Sequence, residues 1–306
     1  MIDAMQYRRS AIDKLFIPRI VIYFNESGMP ARIEKGQFDA GPYGSWEWVR
    51  LRHQKPEGLV FLTPLIGGSR CHLVRYFRFL TKNRLDLFSF SYSGHGHSSH
   101  SFSPSRSIGD TVAMLAQVCS ICRRESLPLF GIAMSYAAIP VLYAACFLKE
   151  PFDRLVLINA VPRLGWAELY RSFSTYCHKI APPRDLADLL EMPRTYLDFL
   201  FPQVRKGNRF FGNLERQRTQ IFRTAAEFLA FNPLSGVQLS DTPVLCLYAG
   251  DDRVLHMYDN PVGPTYEKII RRLCPRTTFG RLTGGHFLSR HRSRRQAIDW
   301  IGAYLL

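Results

Sequence analysis

The sequence predicts an α/β protein: a mostly parallel sheet with helices on both faces, interrupted by a helical cap insert. Three observations lead there. Short apolar runs of strand length, at residues 59–62, 85–90, 154–158 and 243–248, alternate with helical stretches and end in turns of small or polar residues. The segment 127–145, LPLFGIAMSYAAIPVLYAA, passes directly from a strand pattern into an alanine-rich helix. Between residues 159 and 232 the pattern becomes helical, broken by Pro162, Pro182-Pro183, Pro193 and Pro202.

The elements follow in order. Residues 1–50 read as a lead-in containing an antiparallel strand pair, 20–24 and 46–51. The strand 59–62 leads into Gly67-Gly68, and the strand 85–90 into the loop Ser93-Gly94-His95-Gly96-His97-Ser98. The strand 154–158, RLVLI, and the strand that starts at Pro243 complete the core. The expected division is residues 1–158 as the N-terminal part of the core, 159–232 as a helical cap and 233–306 as the C-terminal part of the core. The insert is dense in aromatics, among them Trp166, Tyr170, Phe173, Tyr196, Phe210 and Phe231. They suit an apolar channel, and equally the internal packing of a small helical unit.

A length of 306 residues with 46% hydrophobic residues supports one large core, or a core plus a cap. No run reaches the ~20 apolar residues of a membrane span. The start, MIDAMQYRRSAIDK, lacks the apolar stretch of a secretory signal. The seven cysteines are odd in number and scattered, which fits a reducing compartment, so a cytoplasmic location is expected. Cys119 and Cys122 form a C-x-x-C inside a helical stretch with no second pair, so zinc is not expected. His95, His97 and His100 lie in a serine-rich loop without a neighbouring acid or cysteine and read as solvated histidines. No cofactor or metal is expected.

Two stretches read as the acid and base of a nucleophilic triad. An apolar strand in PVLCLYAGDDRV (243–254) ends in Asp251-Asp252, and TGGHFL (283–288) presents His286 on a glycine turn. A triad needs an imidazole to take a proton from the nucleophile and a buried acid to hold that imidazole in the right tautomer. Strand-to-acid spacing favours Asp252, with Asp251 as the fallback. For the nucleophile, a sharp strand-to-helix turn requires small residues two before and two after it. One register, Ala133-Met134-Ser135-Tyr136-Ala137, makes Ser135 the nucleophile and leaves Pro140 near the first helical turn, where its missing N–H costs least. The other, beginning at Gly131, puts Ala133 in that place and excludes serine chemistry. Ser135 is the favoured register.

These motifs, in the chain order serine, acid, histidine, resemble the α/β-hydrolase superfamily over roughly residues 45–306. The resemblance departs from the family pattern at the elbow, A-x-S-x-A instead of G-x-S-x-G. It departs also at the first turn, Thr63-Pro64-Leu65-Ile66 without a His-Gly pair, and at Tyr92, where an aspartate is usual. By the family's logic the oxyanion hole would use the backbone N–H of Tyr136 and one from Leu65 or Ile66. The implied activity is a serine hydrolase cleaving an ester or thioester of an acyl substrate through an acyl-enzyme, with acyl-carrier and acyl-CoA thioesters included. With Ala133 at the elbow, the alternative is a catalytically inactive binding protein on the same fold.

The formal net charge is +15. From Lys268 to Arg295 the basic residues Lys268, Arg271, Arg272, Arg276, Arg281, Arg290, Arg292, Arg294 and Arg295 run with no acid between them. Such a field attracts anions; an acidic carrier protein, a coenzyme A phosphate or an anionic lipid surface fits it, and a merely solubilising surface gives the same pattern. Nucleic acid is not expected, because no nucleic-acid-binding motif accompanies the charge. Nothing in the sequence specifies an oligomeric state.

Overall fold

The structure, a computed structural model, describes residues 19–24, 30–41, 44–68, 70–163, 232–250, 252, 262–286 and 291–306, with single positions 186, 224, 226, 227 and 230. Most of the expected cap, all the aromatic residues named in it, and the fallback acid Asp251 lie outside the described residues.

Among the described residues nine strands form one sheet in the order β1-β2-β3-β5-β4-β6-β7-β8-β9. They are β1 (Arg19–Phe24), β2 (Pro30–Asp39), β3 (Ser45–Arg52), β4 (Gly58–Leu62), β5 (Leu85–Phe90), β6 (Leu129–Met134), β7 (Arg154–Ile158), β8 (Val244–Ala249) and β9 (Thr277–Leu282). From β5 through β9 every neighbouring pair is parallel. The first three strands form an antiparallel wing that joins the parallel part through β3 and β5. The expected pairing of 20–24 with 46–51 is corrected here, since β2 lies between those two strands and pairs with both. Its mixed composition, PARIEKGQFD, hides the strand from a hydrophobic pattern. Part of its charge is matched, Glu34 lying 3.6 Å from Arg32 on the same strand and 3.6 Å from Arg52 across on β3.

The parallel strands are continuous apolar runs because both faces of the sheet are covered. Their side chains alternate between two cores. Leu59 and Phe61, Leu155 and Leu157, and Cys246 and Tyr248 face one core. Val60 and Leu62, Val156 and Ile158, and Leu245 and Leu247 face the other. Helices α2 (Pro104–Glu125), α3 (Ala138–Phe147) and α4 (Val262–Leu273) contribute to the first core; α1 (Arg70–Tyr76) and α5 (His291–Leu305) contribute to the second. Helix α5 does so through Ala297, Ile301 and Leu305, one turn apart. Helix α2 starts where Ser103 accepts the Arg106 N–H at 3.2 Å and Pro104 takes the first turn. It stops at Ser126, in the left-handed conformation at φ 53°.

In this order β4 and β6 are neighbours, while the chain between them travels outward to β5 and returns. That reversal opens a crevice at the carboxyl ends of β4 and β6, the usual place for a ligand in an open parallel sheet. The turn after β4 and the turn after β6 both face it.

Candidate active site

Strand β6 ends at Met134 in extended conformation, and the next residue, Ser135, has φ +54°. A serine there carries backbone strain of order 1 kcal/mol, which the surrounding packing must hold. A 3₁₀ turn, Ser135–Ala137, then passes into α3. Ala137 and Ala138 are fully buried, so the helix approaches the sheet closely, and Pro140 is the third residue of α3. Ala133 is not at the turn. It lies within β6, fully buried and paired with Leu157. Gly131 has its own reason to be glycine: a Cβ there would come within 2.7 Å of Leu155 and 2.9 Å of Phe152.

Asp252 follows β8, and His286 follows β9 through a turn in which Gly284 has φ +97°. The Gly250 N–H donates to the Leu282 carbonyl at 2.7 Å and ties the two strand ends together. The three residues named from sequence meet there. His286 Nδ1 lies 2.7 Å from Asp252 Oδ2, and His286 Nε2 lies 2.8 Å from Ser135 Oγ. A carboxylate only accepts, so the proton sits on Nδ1 and Nε2 is left to accept the serine hydroxyl. Both the imidazole and the carboxylate are buried, with side-chain exposures of 4% and 0%.

Asn159, which the sequence reading did not single out, completes the support. It sits just beyond β7 at φ +47°, fully buried. Its amide donates to the His286 carbonyl at 2.6 Å, and its oxygen accepts the Ala249 N–H at 2.7 Å. The residue thus clamps the histidine loop to the end of β8. An asparagine directly after an apolar strand, a type that tolerates left-handed backbone, was the available signal. Asn159→Ala leaves a buried carbonyl and a buried N–H without partners, at about 1–3 kcal/mol of stability. The loop then loses its anchor, and kcat for a reaction that uses His286 is expected to fall about tenfold. Steady-state kinetics beside a thermal melt check this; unchanged kcat at lowered stability would mean that Asn159 serves folding alone.

The turn after β4 is closed by the Gly68 N–H, which donates to the Leu65 carbonyl at 2.9 Å. Among the described residues the amides of Leu65 and Ile66 make no hydrogen bond, which suits donors kept for a ligand. The Thr63 N–H donates to the Ile132 carbonyl at 3.1 Å and holds the start of this turn beside β6. The Tyr136 N–H is the first amide after Ser135, and the Tyr136 phenol lies 2.9 Å from Ser107 Oγ on α2.

One expectation is overturned. His95 is not a solvated loop histidine: it is fully buried, and only His97 and His100 are exposed. His95 Nε2 accepts the Gly67 N–H at 2.7 Å, and Nδ1 lies 3.1 Å from the Ser93 carbonyl. Burial pushes its pKa down to about 4, so the ring is neutral at pH 7. The loop folds inward because Asp110 on α2 accepts from the Ser93 N–H at 2.8 Å and the Ser93 hydroxyl at 3.0 Å. The C-x-x-C thiols in α2 are pushed up by burial, Cys119 to about 11 and Cys122 to about 12, so neither is a ready thiolate.

A mostly parallel sheet, an elbow serine after a central strand, and an acid and a histidine after the two strands at one edge define the α/β-hydrolase class. The model of the alpha/beta hydrolase family matches residues 42–298, and the chain belongs to that family. Solved structures share the fold at low identity. A monoglyceride lipase from Saccharomyces cerevisiae is 16% identical with a TM-score of 0.58, covering 96% of each chain. Potato (Solanum tuberosum) epoxide hydrolase I is 15% identical with a TM-score of 0.59, covering 89% of this chain and 99% of its own. An esterase from Pyrococcus furiosus is 14% identical with a TM-score of 0.58, covering 95% of this chain and 90% of its own. No curated protein sequence matches the chain.

Proposed function

We propose that this member of the family is a serine hydrolase that cleaves an acyl ester or thioester through a covalent acyl-enzyme. One observation carries the reading: an unbroken run from Ser135 Oγ through the His286 ring to Asp252, with bonds of 2.8 and 2.7 Å. Ser135 Oγ attacks the acyl carbonyl carbon while His286 Nε2 takes its proton, and Asp252 stabilises the imidazolium that forms. The Tyr136 amide and a Leu65 or Ile66 amide receive the negative charge that develops on the carbonyl oxygen. As the tetrahedral intermediate collapses, the bond to the leaving oxygen or sulfur breaks and His286 returns the proton to the departing alcohol or thiol. Water, deprotonated by His286, then releases the acid and restores Ser135. Esterase and lipase neighbours, alike in fold, support the ester half of this reading.

The thioester half rests on charge. Lys268, Arg271, Arg272 and Arg276 on and just after α4, Arg281 on β9, and Arg294 and Arg295 on α5 are all exposed. In sequence they flank the strand that leads to His286, and they would steer an anionic donor such as coenzyme A or an acidic carrier. Arg290 and Arg292 lie outside the described side chains. Among the described residues no helix is long and apolar enough to cross a membrane; a cytoplasmic setting is part of this proposal.

Hydrolysis of p-nitrophenyl butyrate and of butyryl-CoA, each at low and raised salt, tests both halves. The expected result is turnover of both, with the apparent KM for butyryl-CoA alone rising with salt, since surface fields are screened over about 10 Å at ~0.1 M ionic strength. Turnover of neither substrate would remove the hydrolase reading. An equal salt response would remove the charged donor and leave a neutral ester.

A further inference from the structure

The turn after β4 has a feature that hydrolase chemistry alone does not require. Residues 65–68 close on the Gly68 N–H to Leu65 carbonyl bond, and the third residue, Gly67, has φ +74°. A positive φ at that place, with Ile66 not in the left-handed region, makes a type II turn. Type II and type I turns differ by a half rotation of their central peptide, here Ile66–Gly67. The N–H of that peptide is the one that His95 Nε2 accepts at 2.7 Å.

We propose that His95 is a positioning residue for the oxyanion hole. By accepting the Gly67 N–H it locks the Ile66–Gly67 peptide in the type II orientation and so anchors the turn whose two preceding peptides carry the Leu65 and Ile66 amides. The inference rests on the serine-hydrolase reading above.

The imidazole is built into this place. Its Nδ1–H donates to the Ser93 carbonyl at 3.1 Å, which fixes the tautomer and leaves Nε2 with its lone pair toward Gly67. Tyr92 and Phe102 stand edge-on to the ring at centroid distances of 5.9 and 5.2 Å. Gly94, at φ +76°, allows the loop to turn back so closely that a Cβ would meet the Phe102 nitrogen at 2.7 Å. Ser93 is held through its N–H and its hydroxyl by Asp110, and Asp110 also accepts the Trp46 indole N–H at 2.8 Å. Burial keeps the ring neutral, so Nε2 remains an acceptor.

Helix α2 therefore reaches both sides of the hole. Asp110 acts through Ser93 and His95 on the turn after β4, and Ser107, one turn earlier on the helix, holds the phenol of Tyr136. Without the acceptor at Nε2 the Ile66–Gly67 peptide can turn over, the turn loses its anchor, and the Leu65 and Ile66 amides lose the fixed position that the tetrahedral intermediate needs.

The test compares His95→Phe, His95→Gln and Ser135→Ala with the unaltered protein on p-nitrophenyl butyrate. Phenylalanine keeps the ring packing and removes the acceptor; the glutamine carboxamide oxygen reaches about the place of Nε2. His95→Phe is expected to lower kcat roughly 10- to 100-fold with KM changed less than about twofold, as loss of a transition-state contact requires. His95→Gln should recover most of that loss, and exchange of the Gly67 amide should be fast in His95→Phe and slow in His95→Gln. A His95→Phe kcat within about twofold of the unaltered protein overturns the inference. So does a His95→Gln variant that is as slow as His95→Phe while equally stable. Should His95→Phe fail to fold, Gly67→Ala replaces it, because a side chain disfavours the positive φ and favours the flipped turn. The same loss of kcat at retained KM supports the proposal, and an unchanged kcat overturns it. If Ser135→Ala retains turnover, the serine-hydrolase reading itself falls and this inference with it; a failure with Ser135→Ala inactive removes the role of His95 alone.

Discussion

Ser135→Ala is expected to abolish turnover of p-nitrophenyl butyrate and to prevent labelling by a fluorophosphonate probe, while the melting temperature stays nearly unchanged. The loss should be on the order of 10⁶ in kcat, because nothing else at the elbow can form the acyl-enzyme and the remaining residues act only around that bond. The fold should tolerate the change. Ser135 keeps its +54° φ through the packing of β6 against α3, and the hydroxyl contributes a single half-buried bond to His286. Alanine at that φ is strained to about the same degree as serine. Mass spectrometry of the labelled protein should place the phosphonyl group on Ser135. Retained turnover, or labelling of a different residue, would end the serine mechanism proposed for this protein.

Asp252→Asn is expected to leave the fold intact and lower kcat roughly 10⁴-fold near pH 7. The carboxylate accepts from His286 Nδ1 at 2.7 Å and so leaves Nε2 bare toward Ser135. An asparagine amide turned to donate toward Nδ1 selects the opposite tautomer, with the proton on Nε2. That ring cannot take the serine proton, and no charge remains to stabilise an imidazolium. The carboxylate side chain is wholly buried, so replacing it with a neutral group of the same size removes a desolvated charge and need not weaken the fold. Kinetics and a thermal melt on the same preparation check both halves; full activity would show that Asp252 does not orient the base. Asp252→Ala, which offers neither donor nor acceptor, should fall as far without enforcing the wrong tautomer.

The strands of the parallel core were legible because they are buried on both faces and read as unbroken apolar runs: RLVLI of β7 is an example. The histidine on its glycine turn and the acid after β8 were legible by residue type and chain order. The β2 strand was not, since its charged residues are interleaved with glycine and apolar ones in a half-buried strand and break the pattern. His95 was misread for a related reason. Its loop is serine- and glycine-rich, which looks solvated, and the acid that draws it inward is Asp110, on the following helix and buried.

The sequence by itself determined what is local: which segments form the parallel core strands, where the chain can turn sharply, and which residue types stand at the ends of β6, β8 and β9. Tertiary structure decided what depends on distant partners. The elbow register is one case. Ala133 and Ser135 both satisfy the local spacing, and the choice comes from the way β6 packs: Gly131 is required by Leu155 and Phe152, and Ala133 is paired inside the sheet. The meeting of Ser135 with His286, 151 residues apart, is another, and so are the Asn159 clamp and the inward turn of His95. The physical reason is common to all of them. Local preference depends on a residue and its near neighbours, whereas a hydrogen bond at 2.7 Å depends on two backbones brought together by strand order, and strand order is set by the whole apolar pattern at once.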